Sequence, residues 1–175
     1  AALLFVPSQR PFDLFHPERR HHLRLYVKRV FITDSCEDLV PGWLRFLRGI
    51  VDSEDLPLNV SREMLQRNAV VTRIRSGLVK RVVADLRDKA EKEPDSYVAF
   101  WESFGAVLKE GLYEDSDHRD DLLALARFHS TRGDGLVSLA EYVTAMKEGQ
   151  EHIYYMIGES LEQLRSSPQL EGFRD

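Results

Sequence analysis

Apolar residues alternate with polar ones over the first third of the chain and fall on a helical stripe from residue 61 onward, so sheet is expected first and helices after. Leu23, Leu25 and Val27 alternate with Arg24, Tyr26 and Lys28, the period of a half-buried strand. The alternation breaks at Arg29 and resumes with Val30 and Ile32, which predicts a β-bulge near residues 28–29. The opening run Ala1-Ala2-Leu3-Leu4-Phe5-Val6 reads as a buried strand, and the polar stretch from His16 to His22 as an exposed hairpin connection. A short helix over Gly42 to Phe46 leads into a strand at Leu47 to Val51.

The helical stripe Val71, Ile74, Leu78, Val82 and Leu86, widened by Val79 and Val83, predicts a helix over about 68–92, with Pro94 as punctuation. Tyr97, Phe100, Trp101, Phe104, Val107 and Leu108 form a second stripe, ending at Gly111. A third helix starts near Ser116 and buries Leu122, Leu125 and Ala126. Ser138 and Glu141 have capping-box spacing and open a fourth through Leu139, Tyr142, Val143 and Met146, stopped by Gly149. Ile153 to Ile157 reads as a strand and Glu159 to Arg165 as a helix. The fold class is therefore α/β. The absent initiator methionine and the apolar opening read as a piece of something longer.

Between the sheet and the first long helix lies Leu56-Pro57-Leu58-Asn59-Val60-Ser61-Arg62-Glu63-Met64-Leu65-Gln66, after the acidic run Asp52-Ser53-Glu54-Asp55. Pro57 fixes its own φ and holds Leu56 extended. Asn59 and Ser61 are good N-cap residues, and Glu63 suits the positive end of a helix dipole. The pattern reads as strand end, rigid loop and helix start, with Arg62 turned outward in the first helical turn. In an arbitrary sequence such an arginine is a solvated surface residue; one presented outward from a stiff platform also suits an anion arriving from elsewhere.

The same stretch resembles the signature of the middle domain of the heat shock protein 90 chaperones, of the bacterial type. Three further segments match in the same order: Ala2 to Phe15, Leu25 to Ile32, and Ile153 to Ser160, so the resemblance covers nearly the whole chain. It implies a layered α-β-α plan: a large α-β-α subdomain over 1–110, a helical connector over 111–150, and the beginning of a small α-β-α subdomain over 151–175. It implies that Arg62 reaches the γ-phosphate of ATP held, with Mg²⁺, by a separate N-terminal nucleotide-binding domain, assisted by Gln66 and shaped by Asn59. Such an arginine spreads its charge over a planar fork that matches phosphate oxygens. It also implies a homodimer formed through a C-terminal dimerisation domain, and unfolded or partly folded client proteins as partners. Phe12, Phe15, Phe31 and Trp43 are candidates for the client surface. The chain has neither Gly-x-x-x-x-Gly-Lys nor Gly-x-Gly-x-x-Gly, so no ATPase activity is expected of it alone.

A net charge of −5 argues against nucleic acid as the main partner; the basic residues Arg67, Arg73, Arg75, Lys80 and Arg81 read as a solvated helix face. No apolar run has the length of a membrane span and no signal-peptide layout opens the chain, so a cytoplasmic address fits. The single cysteine, Cys36, excludes an internal disulfide framework. A calcium loop is the competing chemistry: Asp134 to Tyr142 resembles half of an EF-hand, but the register puts Arg132 at a ligand position, and Glu141 is better used by the capping box. Arg132-Gly133-Asp134 spells an adhesion tripeptide, a short and common match. His16, His21 and His22 lack metal-ligand spacing and read as a wet basic loop. The remaining alternative is a non-enzymatic protein-interaction scaffold.

Overall fold

The computed structural model describes residues 1–16, 22–59, 65 and 68–173, and it divides into two compact units, Ala1–Leu122 and Leu123–Asp175. The first unit is built on a four-stranded sheet of β1 (Ala2–Phe5), β2 (His22–Val27), β3 (Val30–Thr33) and β4 (Arg48–Ser53), in the order β1-β4-β2-β3. β2 and β4 run parallel; the two outer pairings are antiparallel. Alternation in β2 sets the faces: Leu23, Leu25 and Val27 are fully buried, and Val51 and Ser53 share their side through the β2–β4 register. The opposite face is open. Leu3 pairs with Ile50 there, and both are exposed together with Phe5 and Phe31.

Three expectations for this sheet need correction. The run Ala2–Phe5 is a strand, but an edge strand whose Leu3 and Phe5 point to solvent, so apolar composition alone misreads its burial. β1 and β2 are not a hairpin, because β4 lies between them. Lys28 and Arg29 are not a bulge: Val27 pairs with Val30, leaving a two-residue turn with both φ values positive, +50° and +67°. That is the geometry of a type I′ hairpin turn, which ordinarily takes Asn-Gly, and each non-glycine residue there costs on the order of 1 kcal/mol. The irregularity in the β2–β3 ladder falls instead between Leu25 and Tyr26. Gly49 answers a different demand. Its φ is +147°, and a Cβ there would collide with the Leu3 carbonyl, so glycine lets β1 and β4 approach.

A 3₁₀ turn at Gly42–Leu44 precedes β4, close to the helix expected at Gly42 to Phe46. Helix α1 (Ala69–Lys92) is capped by Asn68, whose side chain accepts from the Val70 N–H at 2.8 Å, and it buries Val71, Val79, Val82, Val83 and Leu86. Helix α2 (Pro94–Glu114) begins with proline at N1, where no N–H is needed, and buries its aromatic stripe. Phe46 meets Phe100 and Phe104 at ring distances of 5.7 and 4.9 Å, joining the entry of β4 to α2. α2 does not stop at Gly111. A Cβ on that glycine would lie 2.6 Å from Leu122 Cδ1 and 2.8 Å from Trp43 Cγ, so its job is close packing inside the helix. A 3₁₀ turn at Ser116–His118 then leads into α3 (Arg119–Leu125), as expected near Ser116.

The second unit holds a two-stranded antiparallel hairpin, β5 (Arg127–His129) with β6 (Leu136–Ser138), inside a stretch expected to be helical. Three-residue strands are too short to show a period. Helix α4 (Leu139–Thr144) starts at the expected capping box, with Ser138 and Glu141 serving each other's backbone. It ends at Thr144, well before Gly149, whose φ of +81° belongs to a later turn. Residues 153–157, expected as a strand, form no ladder among the described residues and are largely exposed; without a neighbouring strand an extended segment has nothing to pair with. Helix α5 spans Leu161–Arg165.

Candidate functional site

The Arg62 motif leaves the sheet at the end of β4 and re-enters regular structure at α1. Ser53 is buried, Glu54 and Asp55 are exposed, and Leu56 is buried again. Pro57, Leu58 and Asn59 are exposed, with a turn at Leu58 and Asn59. On the far side Leu65 is buried, and its carbonyl accepts from the Asn68 N–H at 3.3 Å. Asn68 continues the brace, its carbonyl accepting from both the N–H and the hydroxyl of Thr72. Leu56 and Leu65, described residues of the motif, are thus both buried. Arg62 and Gln66, with Val60, Ser61, Glu63 and Met64, lie outside the described residues, as does the expected outward direction of Arg62.

Two polar contacts at this end of the sheet are not readable from spacing. The Lys28 N–H donates to the Ser53 carbonyl at 3.0 Å, and the Arg29 N–H donates to Asp52 Oδ1 at 3.2 Å. The β2–β3 turn is therefore fastened to the last two residues of β4, where the motif departs. Beyond it, the opening half of α1 carries Arg73, Arg75, Lys80 and Arg81, all exposed, and has no acidic residue in its first turn. Arg81 pairs with Asp85 at 3.1 Å.

The candidate client residues separate. Phe12 is fully exposed, and Phe15 and Phe31 are about half exposed, with Phe15 under the Arg45 guanidinium at 5.6 Å. Trp43 is completely buried and is excluded from a surface role. Its indole N–H donates to Asp115 Oδ2 at 3.3 Å, while the His118 ring Nδ1 lies 2.9 and 3.0 Å from the two Asp115 oxygens. Burial raises the Asp115 pKa, but the His118 side chain and backbone, with the Trp43 indole, outweigh it and hold the carboxyl below its ordinary value.

The EF-hand reading finds no support in the geometry of its residues. Asp134 pairs with Arg165 at 2.7 Å, the Arg132 guanidinium donates to the Ala145 carbonyl, and Glu141 is committed to the capping box. Those partners also engage both charged ends of the Arg132-Gly133-Asp134 tripeptide. Of the histidines weighed as metal ligands, His22 opens β2 and His21 lies outside the described residues. Among the described residues no three His, Cys, Asp or Glu side chains gather into a metal-binding group.

A parallel β2–β4 pair flanked by antiparallel edges and a long capped helix define an α/β unit in which Glu54, Asp55, Pro57, Leu58 and Asn59 are exposed on the connection from sheet to helix. The family model described as Hsp90 protein matches residues 1–175. The chain is 60% identical over 171 residues to the chaperone protein HtpG of Paramagnetospirillum magneticum and 57% identical over 175 residues to that of Mesorhizobium japonicum. These alignments cover 98–99% of this chain and 27–28% of the relatives, so it spans little more than a quarter of their length. Among solved structures, the middle domain of a Plasmodium falciparum heat shock protein superposes with a TM-score of 0.84 at 33% identity, over 99% of this chain and 68% of that one. The chain belongs to the heat shock protein 90 family, and its fold is that of the family's middle domain.

Proposed function

We propose that this chain is the middle segment of an ATP-dependent molecular chaperone of the HtpG type, working as a homodimer in the cytoplasm to assist protein folding. Its catalytic part is to bring Arg62 to the γ-phosphate of ATP held, with Mg²⁺, on a separate N-terminal domain, with Gln66 and Asn59 beside it. The guanidinium neutralises charge as the terminal phosphoryl group leaves, an effect worth about 10³–10⁵ in rate in other phosphoryl-transfer enzymes. The observation that supports this reading is the exposure of Asn59 between Leu56 and Leu65, both buried.

The test is steady-state ATP turnover of the longer parent protein with Arg62→Ala. Turnover is expected to fall at least about tenfold, with KM for ATP little changed. An unchanged rate removes Arg62 from the mechanism. The segment expressed alone is expected to show no turnover.

The exposed Phe12, Phe15 and Phe31 favour a second role for the same domain, part of the surface that holds unfolded or partly folded clients. Suppression of aggregation by the same preparations separates the roles: if this segment is only a scaffold, the parent protein keeps both its holding activity and its ATP turnover when Arg62 is removed.

A further inference from the structure

Arg45 joins three parts of the first unit. It follows the 3₁₀ turn Gly42–Leu44 and stands among the buried residues Trp43, Leu44, Phe46 and Leu47, so its backbone is fixed, while its side chain is 19% exposed. Glu110 of α2 takes both ends of the guanidinium fork, Nη2 donating to Oε1 at 2.7 Å and Nη1 to Oε2. A two-point pair of this kind sets the plane of the fork as well as its position. Nε is left to donate to the Leu14 carbonyl at 2.9 Å, and the guanidinium lies over the Phe15 ring at 5.6 Å.

Leu14 and Phe15 belong to a turn that closes on itself: the Leu14 N–H donates to the Pro11 carbonyl and the His16 N–H to that of Asp13. Leu14 is its buried residue, whereas Phe12 is fully exposed and Phe15 about half exposed. A buried side chain fixes where such a turn sits but not how it is rotated about that anchor. Arg45 adds one hold on the Leu14 backbone and another on the Phe15 ring, and these set the direction in which the phenylalanines project. Aromatic rings already held in place lose little freedom when an apolar segment settles on them.

We propose that Arg45 is a positioning residue for the client surface: with its fork held by Glu110, it orients the Phe12–Phe15 turn so that both rings face an apolar stretch of unfolded polypeptide. The proposal rests on the client-holding reading above and is independent of Arg62. Lysine is no substitute. Its ammonium pairs with Glu110, but it has no second donor set back along the stem to keep the Leu14 carbonyl.

The experiment measures, by fluorescence anisotropy, the binding of reduced, carboxymethylated α-lactalbumin, a permanently unfolded protein, to the full-length parent protein. The variants are Phe12→Ala/Phe15→Ala, Arg45→Ala, Arg45→Lys, and Arg45→Lys added to the phenylalanine pair, each checked for folding by thermal unfolding. Loss of the two rings is expected to weaken binding about tenfold or more. Each Arg45 variant is expected to weaken it about three- to tenfold. Arg45→Lys keeps a cation opposite Glu110 and carries the test if Arg45→Ala does not fold. On the phenylalanine pair it is expected to cost nothing further, because Arg45 acts through those rings. Wild-type affinity in Arg45→Lys, with or without a lowered Tm, means that Arg45 is only structural, and the proposal falls while the client reading stands. A further loss on the phenylalanine pair also overturns it, since Arg45 would then act elsewhere. Undiminished binding by the phenylalanine pair sinks the client reading for this turn and this inference with it.

Discussion

Two helical glycines show what single residues decide. Gly77 lies within α1 with nothing but its own helix backbone and chain neighbours within 4 Å of the place a Cβ would take, so it costs helix stability with no packing gain. Gly77→Ala is expected to stabilise the chain by about 0.5–1 kcal/mol. Gly111 has the same intrinsic cost but sits against Trp43 and Leu122, where the added methyl must displace an indole or a leucine. Gly111→Ala is expected to destabilise by about 1–3 kcal/mol despite its better propensity. Urea unfolding of the two variants tests the opposite signs. Stabilisation by both variants would mean that helix propensity, and not packing, governs both sites. In the sequence Gly111 reads as a helix stop because it comes after the last apolar residue of the stripe; only its contacts reveal it as part of the core.

At the scale of elements, legibility tracks length and amphipathicity. β2 has one buried face and one polar face, so its period-2 pattern is clean, and α1 shows its stripe because it packs on one side only. The capping box of α4 is visible in the sequence because both partners are local. β5 and β6 are not, since three residues carry no period. Of the candidate site, the loop is legible as a motif; the burial of Leu56 and Leu65 and the exposure of Asn59 are seen only in the structure. The Asp52 contact to the turn is not, because it joins positions far apart in the chain. The junction between α2 and the 3₁₀ turn after it is another such contact, and it carries a pH signature. Asp115 caps that turn through the His118 N–H, and its folded pKa lies below the ordinary carboxylate value. Its stabilising contribution is therefore complete above the unfolded value and is lost as the pH falls through the folded one. Asp115→Ala is expected to cost about 1 kcal/mol at neutral pH and to flatten the dependence of Tm on pH below about pH 4. Thermal unfolding across that range checks it; curves that stay parallel down to the acid end would show that Asp115 does not link protons to folding.

For the molecule as a whole, composition and periodicity yield an α/β class but not the strand order, because any apolar strand can pair with any other until long-range contacts choose. The sheet order places β4, the strand that launches the arginine-bearing loop, in the interior between β1 and β2. An interior strand is held on both edges, and that makes it a firm base for the loop. The same order has a temporal consequence. The β2–β3 hairpin closes across two residues, whereas β1 finds no partner until β4 arrives and Leu3 can meet Ile50. Closing the longer loop costs more chain entropy, and β1 has only four residues, with Leu3 and Phe5 facing water, to repay it. β1 should therefore join last during folding and detach first during local opening. Native-state hydrogen exchange is expected to show the amides of Ala2–Phe5 exchanging well before those of Leu23–Val27; equal protection of the two strands would mean that the sheet opens as one unit.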